Sequence, residues 1–159
     1  MVLPPNYEYQ DNALGDIQEH FIEYDKGLVK MFCGSGKSRI ILQTALNQFY
    51  DFESGLVIVV FPSLALITQF RKSYLENPDW SEAFPELRYI ETLSVCTEQE
   101  STTNHDEIES FLQESEQSII CVTYASFELL TARIKNAKRD IDMIIYDEAH
   151  HVVGQQFQQ

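Results

Sequence analysis

Two short clusters in this 159-residue sequence have the residue types and spacing of a phosphate-transfer centre. The first is Cys33-Gly34-Ser35-Gly36-Lys37-Ser38. Glycines at 34 and 36 open backbone conformations closed to other residues, so that successive N–H groups can converge on one anion. Lys37 brings a positive charge to the β- and γ-phosphates of a nucleotide, and the Ser38 hydroxyl suits Mg²⁺. The strict pattern G-x-x-x-x-G-K-[ST] has glycine at position 31, where this chain has Met31. The second cluster is Asp147-Glu148, directly after an apolar run. A carboxylate at a strand end can hold Mg²⁺ from the side opposite Ser38, while Glu148 orients and deprotonates a water for in-line attack on the γ-phosphate. Alone, the first could be a glycine turn with a surface lysine and the second a polar strand terminus. Their order and their shared position at strand ends point to one catalytic site with Lys37, Asp147 and Glu148 at its centre. Cys33 reads as filler in the loop. His150 and His151 are adjacent, so their side chains point apart, and no zinc site is expected.

These clusters need elements that hold them. Residues 11–24 place Leu14, Ile17, Phe21 and Ile22 on one helical stripe, and residues 27–32 read as a short strand leading into the glycine loop. Residues 38–49 return to helical spacing. The apolar run 56–61 suits a strand buried on both faces and is stopped by Pro62, with Ser63 as the N-cap of a helix that runs to Asn77-Pro78. Residues 87–95 alternate as a strand, 105–113 form a helix, 118–123 a strand, 124–135 a helix, and 141–146 a strand that runs into Asp147. Five strands alternating with helices predict an α/β domain with a doubly wound, mainly parallel sheet and helices on both faces.

Composition narrows the class. A 44% hydrophobic fraction is enough for one packed core in a chain of this length, which excludes wholesale disorder. The 25 acidic residues against 11 basic ones give a net charge of −14, so any nucleic-acid contact must be local. No basic residue lies between Arg88 and Arg133, and the polar stretch 98–107 reads as a solvated surface loop. Three widely spaced cysteines fit neither a disulfide framework nor a zinc site, and no apolar run approaches a membrane span. An intracellular chain, with no membrane partner, is the expectation.

The order of these motifs resembles the N-terminal RecA-like ATP-binding domain of superfamily 2 helicases and translocases, in the group near the type III restriction subunits. Gly34-Ser35-Gly36-Lys37-Ser38 resembles motif I, and Asp147-Glu148-Ala149-His150 resembles a DEAH box, which implies a coupling role for His150. Tyr9-Gln10-Asp11-Asn12-Ala13 is similar to the segment that opens many members and implies that Gln10 reads the adenine edge. Tyr7 stands where close relatives often have the arginine that stacks on adenine. Val60-Phe61-Pro62-Ser63-Leu64 resembles motif Ia, and Val122-Thr123-Tyr124 resembles the later strand-end motif. Both imply contacts of Pro62, Ser63 and Thr123 with the phosphates of one nucleic-acid strand.

The resemblance implies a RecA-like P-loop NTPase fold over residues 1–159, with ATP and Mg²⁺ as cofactors and DNA or RNA as a weakly held partner. It implies a helicase or translocase that couples ATP hydrolysis to movement on nucleic acid. Members continue into a second RecA-like domain with an arginine finger, so the chain is expected to be C-terminally incomplete, the missing half lying downstream or on another chain. Such a finger is worth about 10³–10⁵ in rate, so turnover by the chain alone is expected near background. The alternative is a nucleotide-binding interaction module without hydrolysis of its own; a phosphate-loop kinase would want a phosphoacceptor site and a lid instead.

Overall fold

A computed structural model describes residues 3–50, 53–96 and 103–149. Its centre is strand β1, Gly55–Phe61, every residue of which is buried. Parallel neighbours flank it: β3, Gln117–Thr123, on one side and β4, Met143–Tyr146, on the other. Strand β2, Glu91–Val95, pairs in parallel with the far edge of β3, which gives the order β2-β3-β1-β4. Continuous β-branched runs are what this position demands, because a central parallel strand meets helices on both faces.

The alternation of β1 divides the core in two. Val57, Val59 and Phe61 pack with Ile41, Leu42 and Leu46 of α2, Lys37–Asn47, with Ile67 and Phe70 of α3, Leu64–Phe70, and with Trp80 of α4, Pro78–Ala83. Leu56, Ile58 and Val60 face the other way, onto Ile108 and Leu112 of α5, His105–Glu114, and Leu130 and Ile134 of α6, Tyr124–Ala137. The expected α/β class, parallel sheet and two helical layers are borne out. Helix α1, Glu8–Glu23, packs on α2 outside this sandwich. At the amino ends of the strands, Arg139 donates to the carbonyls of Leu112, Ser115 and Glu116, and Asp142 Oδ2 accepts the Leu56 N–H at 2.7 Å. The opposite, carboxyl ends are left for the site.

Three expectations are corrected. Residues 27–32 do not join the sheet, so four strands rather than five form among the described residues. An apolar run can specify a strand only if a neighbour accepts its backbone bonds, and here local contacts hold the chain against α1 instead. His20 Nε2 donates to the Lys26 carbonyl at 2.6 Å, the His20 ring stacks on Tyr24, and a Cβ on Gly27 would lie 3.0 Å from that ring. Leu28, Val29 and Phe32 are left exposed as a result. The strand expected over 87–95 is shortened because Pro85–Arg88 winds into a 3-10 turn, confining β2 to its second half. Helix α4 was not expected at all. Asn77-Pro78 ends one helix, whose last turn Arg71–Leu75 is π-helical, and begins the next, with Asn77 Oδ1 accepting the Asp79 N–H at 3.0 Å.

The beginning of the polar stretch 98–107 lies outside the described residues, and α5 starts within its end. His150 and His151 also lie outside them. No helix among the described residues is long and apolar enough to cross a membrane.

Candidate functional site

The glycine loop takes the conformation its composition implies. Gly34 and Gly36 both have positive φ, 76° and 81°, and α2 begins directly after Gly36. The amides of Gly36, Lys37 and Ser38 have no hydrogen-bond partner among the described residues, as expected of the first turn of a helix. They and the helix dipole favour a bound anion. The loop is fixed from outside by α1. Gln10 is 3% exposed and donates from Nε2 to the Ser35 carbonyl at 2.9 Å, while Tyr9 Oη donates to the same oxygen at 2.9 Å. Gln10 Oε1 accepts the Tyr7 N–H at 3.0 Å. The Gln10 amide thus buttresses the glycine loop.

Gly36 is also where the buttress touches the loop: a Cβ there would collide with Gln10 Nε2, and its φ disfavours any side chain. Gly36→Ala is expected to destabilise the chain by about 2 kcal/mol from the left-handed backbone alone, and by more through the displaced Gln10. Gly34→Ala carries the same φ cost but meets nothing within 4 Å. A smaller fall in melting temperature for Gly34→Ala than for Gly36→Ala, measured by circular dichroism, checks the contact; equal falls remove Gln10 from the explanation.

The acidic pair arrives from the other end of the sequence. Register pairing of β4 with β1 sets Tyr146 beside Val60, and the Asp147 N–H continues the ladder to the Val60 carbonyl at 2.9 Å. The chain then turns sharply. Glu148 has φ 56°, uncommon for a residue with a side chain, and its N–H bonds to Asp147 Oδ1 at 3.1 Å. The turn directs Glu148 Oε1 to within 3.8 Å of Lys37 Nζ. This half-exposed pair is worth no more than about 1 kcal/mol, so a polyphosphate can open it at little cost. Burial holds the Asp147 carboxyl above its ordinary range, the Glu148 charge adds to this, and Lys37 and the Glu148 amide oppose it. A desolvated carboxylate beside a second carboxylate is a place where a divalent cation gains much and a proton is its competitor. Unpartnered amides, left-handed glycines, a lysine and a raised carboxylate together fit a Mg²⁺–nucleotide.

The remaining expected residues fall at the same end of the sheet. Pro62 and Ser63 are exposed after β1, and Ser63 caps α3, its Oγ accepting the Leu66 N–H at 3.4 Å. Thr123 pairs in register with Phe61 and is only 5% exposed, so what it offers a ligand is chiefly the start of α6 rather than its hydroxyl. A cleft of about 860 Å³ lies beside the glycine loop, between α1 and residues 27–35. It includes Gly34 and Ser35 but none of Lys37, Ser38, Asp147 or Glu148. Its walls include Ile17, Phe21, Leu28 and Met31, an apolar lining that suits a polyphosphate poorly.

Sequence reasoning did not find the partners that hold the site: Tyr9, the Arg39–Asn6 hydrogen bond between α2 and the N-terminal arm, and the Tyr124 hydroxyl. Each acts on a residue more than twenty positions away, and no local pattern signals such a pair.

Comparison with known proteins agrees with this fold. The family described as type III restriction enzyme, res subunit, matches residues 4–159. The chain belongs to that family. It is thereby a superfamily 2 RecA-like domain of the helicase and translocase ATP-binding type, as its motif order implied. No curated protein sequence matches it. Among solved structures, a nuclease-deletion mutant of the Type ISP restriction-modification enzyme LlaGI in complex with a DNA substrate mimic superposes with a TM-score of 0.72 at 22% identity. The match covers 92% of this chain and 15% of that one, and it shows the common fold. The present chain thus spans a small part of the length of that protein.

Proposed function

We propose that this chain binds Mg²⁺–ATP and is the hydrolytic half-site of a helicase or translocase that moves on nucleic acid. The observation that carries the reading is the 3.8 Å approach of Lys37 Nζ and Glu148 Oε1, which brings the phosphate loop at the start of α2 face to face with the acidic turn after β4. In this reading the amides of Gly36, Lys37 and Ser38 and the Lys37 ammonium bind the β- and γ-phosphates, with Tyr7 on the adenine side and Gln10, both ends of its amide already bonded, holding the loop. Ser38 Oγ and the Asp147 carboxylate would hold Mg²⁺, which would supply charge neutralisation at those phosphates. Glu148, released from Lys37 by the phosphates, takes the proton of the attacking water. His150 couples the acidic turn to the nucleic-acid side. Calorimetric titration with ATP, ADP and AMP, in Mg²⁺ and in EDTA, tests this. ATP and ADP should bind with an affinity that Mg²⁺ increases, and AMP should not; equal heats for all three would overturn the reading.

Nucleic acid in this reading runs across the exposed starts of α3 and α6, touching Pro62, Ser63 and Thr123. Support comes from their common position at the carboxyl ends of β1 and β3, where helix amides can meet phosphates even on an acidic protein. The two-residue change Ser63→Asp with Ala125→Glu tests it without harming the fold. Aspartate caps a helix as well as serine does, and an acid in the first turn of α6 is favoured by the dipole. The variant should bind labelled single strands at low salt several-fold more weakly than wild type while melting no lower. Unchanged affinity would remove this surface from the path. Wild-type log affinity should fall with log salt by about 0.7 per phosphate contact.

A further inference from the structure

The Asp147–Glu148 turn is held by more than its own strand. Its backbone carbonyl at Asp147 accepts a 2.6 Å hydrogen bond from Tyr124 Oη, the first residue of α6 and the neighbour of Thr123 in sequence. The Tyr124 ring stacks on Tyr146 at 6.2 Å between centroids, 21° from parallel, and Phe127 closes edge-on against the same Tyr146 ring at 5.7 Å. The hydroxyl is therefore aimed by packing. On the other side, the Asp147 N–H is claimed by the Val60 carbonyl, two residues before Pro62. Both ends of the Asp147 peptide frame are thus bonded to the strand ends that lead into the exposed starts of α3 and α6. Glu148, directly after, sits in the left-handed region, a strained state that persists only where its surroundings fix it.

We propose that Tyr124 is a positioning residue for the metal and water-activating carboxylates: its hydroxyl fixes the Asp147 carbonyl, holds Glu148 in its left-handed turn, and ties both to the start of α6. This rests on the reading of Asp147 as a Mg²⁺ ligand and Glu148 as the base. Tyr124 touches no reacting atom. Its effect is on the direction of the carboxylates, and through α6 it gives a displacement at the Thr123–Tyr124 step a direct mechanical route to the acidic turn.

Tyr124→Phe removes the hydroxyl and keeps the stacked ring. Tyr146→Phe is the matched control, since it deletes a hydroxyl from the same stack that bonds to none of the described residues. The first measurement needs no nucleotide: amide hydrogen exchange of the Asp147–Ala149 segment should quicken several-fold in Tyr124→Phe and not in Tyr146→Phe. The second is the affinity of the ADP-bound chain for Mn²⁺, read by electron paramagnetic resonance. It should weaken about 3- to 10-fold in Tyr124→Phe, the size of one hydrogen bond, while ATP affinity in EDTA stays at the wild-type value. Unchanged exchange, unchanged Mn²⁺ affinity, or equal losses in the two variants would each overturn the assignment. A wild-type chain that binds no nucleotide, or a Lys37→Ala chain that binds it equally well, would instead bring down the functional reading, and the exchange result would still decide the position of Tyr124. Should Tyr124→Phe fail to fold, the wild-type chain gives the answer by nuclear magnetic resonance. A slowly exchanging phenolic proton close to the Glu148 amide supports the proposal, and its absence overturns it.

Discussion

Lys37→Ala is expected to lower the affinity for Mg²⁺–ATP by about 10²-fold, which in a calorimeter reads as loss of binding. Two effects combine. The lysine's hydrogen bonds to phosphate are charge-assisted, and the loss of such bonds costs about 1.5–3 kcal/mol. The Glu148 carboxylate then faces the incoming phosphates without the Lys37 cation at 3.8 Å. Stability should hardly change, because the ion pair that is lost is half exposed and lies at the first residue of α2, where a cation opposes the helix dipole. The combination of an unchanged melting temperature with lost binding is diagnostic. A variant that binds as wild type does would remove this loop from the site.

Asp147→Asn should lose the Mg²⁺-dependent part of ATP affinity, a fall of about tenfold or more, and yet raise the melting temperature at neutral pH. Metal binding needs the carboxylate charge, which asparagine lacks, while the Oδ1 that accepts the Glu148 N–H remains. The gain in stability follows from the direction of the Asp147 shift. Its carboxyl keeps its proton to higher pH in the folded chain than in the unfolded one, chiefly through burial and next through Glu148. The group's contribution to stability is therefore most favourable below the ordinary carboxylate range, about pH 4, and is lost as pH rises through the raised value. At neutral pH the whole cost is present, and the substitution removes it. Melting curves of wild type and variant should converge toward pH 4 and separate toward pH 7. A variant less stable than wild type at pH 7, or one whose ATP affinity still responds fully to Mg²⁺, would contradict the assignment. A site that destabilises its own fold until its cation arrives is an ordinary trade of stability against function.

The sequence by itself determined the class of fold and pointed to a chemistry. Gly34, Gly36 and Lys37 at the start of a helix, and Asp147-Glu148 after an apolar strand, have few structural uses besides phosphate and metal. The β-branched runs 56–61 and 118–123 have the hydrophobic period of strands buried on both faces, and both form with the expected boundaries to within a residue. Periodicity reports which surface a segment must bury, so it captured β1, β3 and the helices α2, α5 and α6. It carries no information on which neighbour will accept a backbone hydrogen bond. For that reason residues 27–32, apolar enough for a strand, were misassigned: no strand of the sheet pairs with them, and the contact of the His20 ring with the Lys26 carbonyl ties the chain to α1 just before them. Only the tertiary structure decided how the site is held. Gln10 reaches the Ser35 carbonyl, Lys37 meets Glu148, and Tyr124 meets Asp147, each across separate elements of the fold. These contacts depend on strand order and register, which bring residues distant in sequence within hydrogen-bonding reach, and a linear pattern of residue types does not encode that distance.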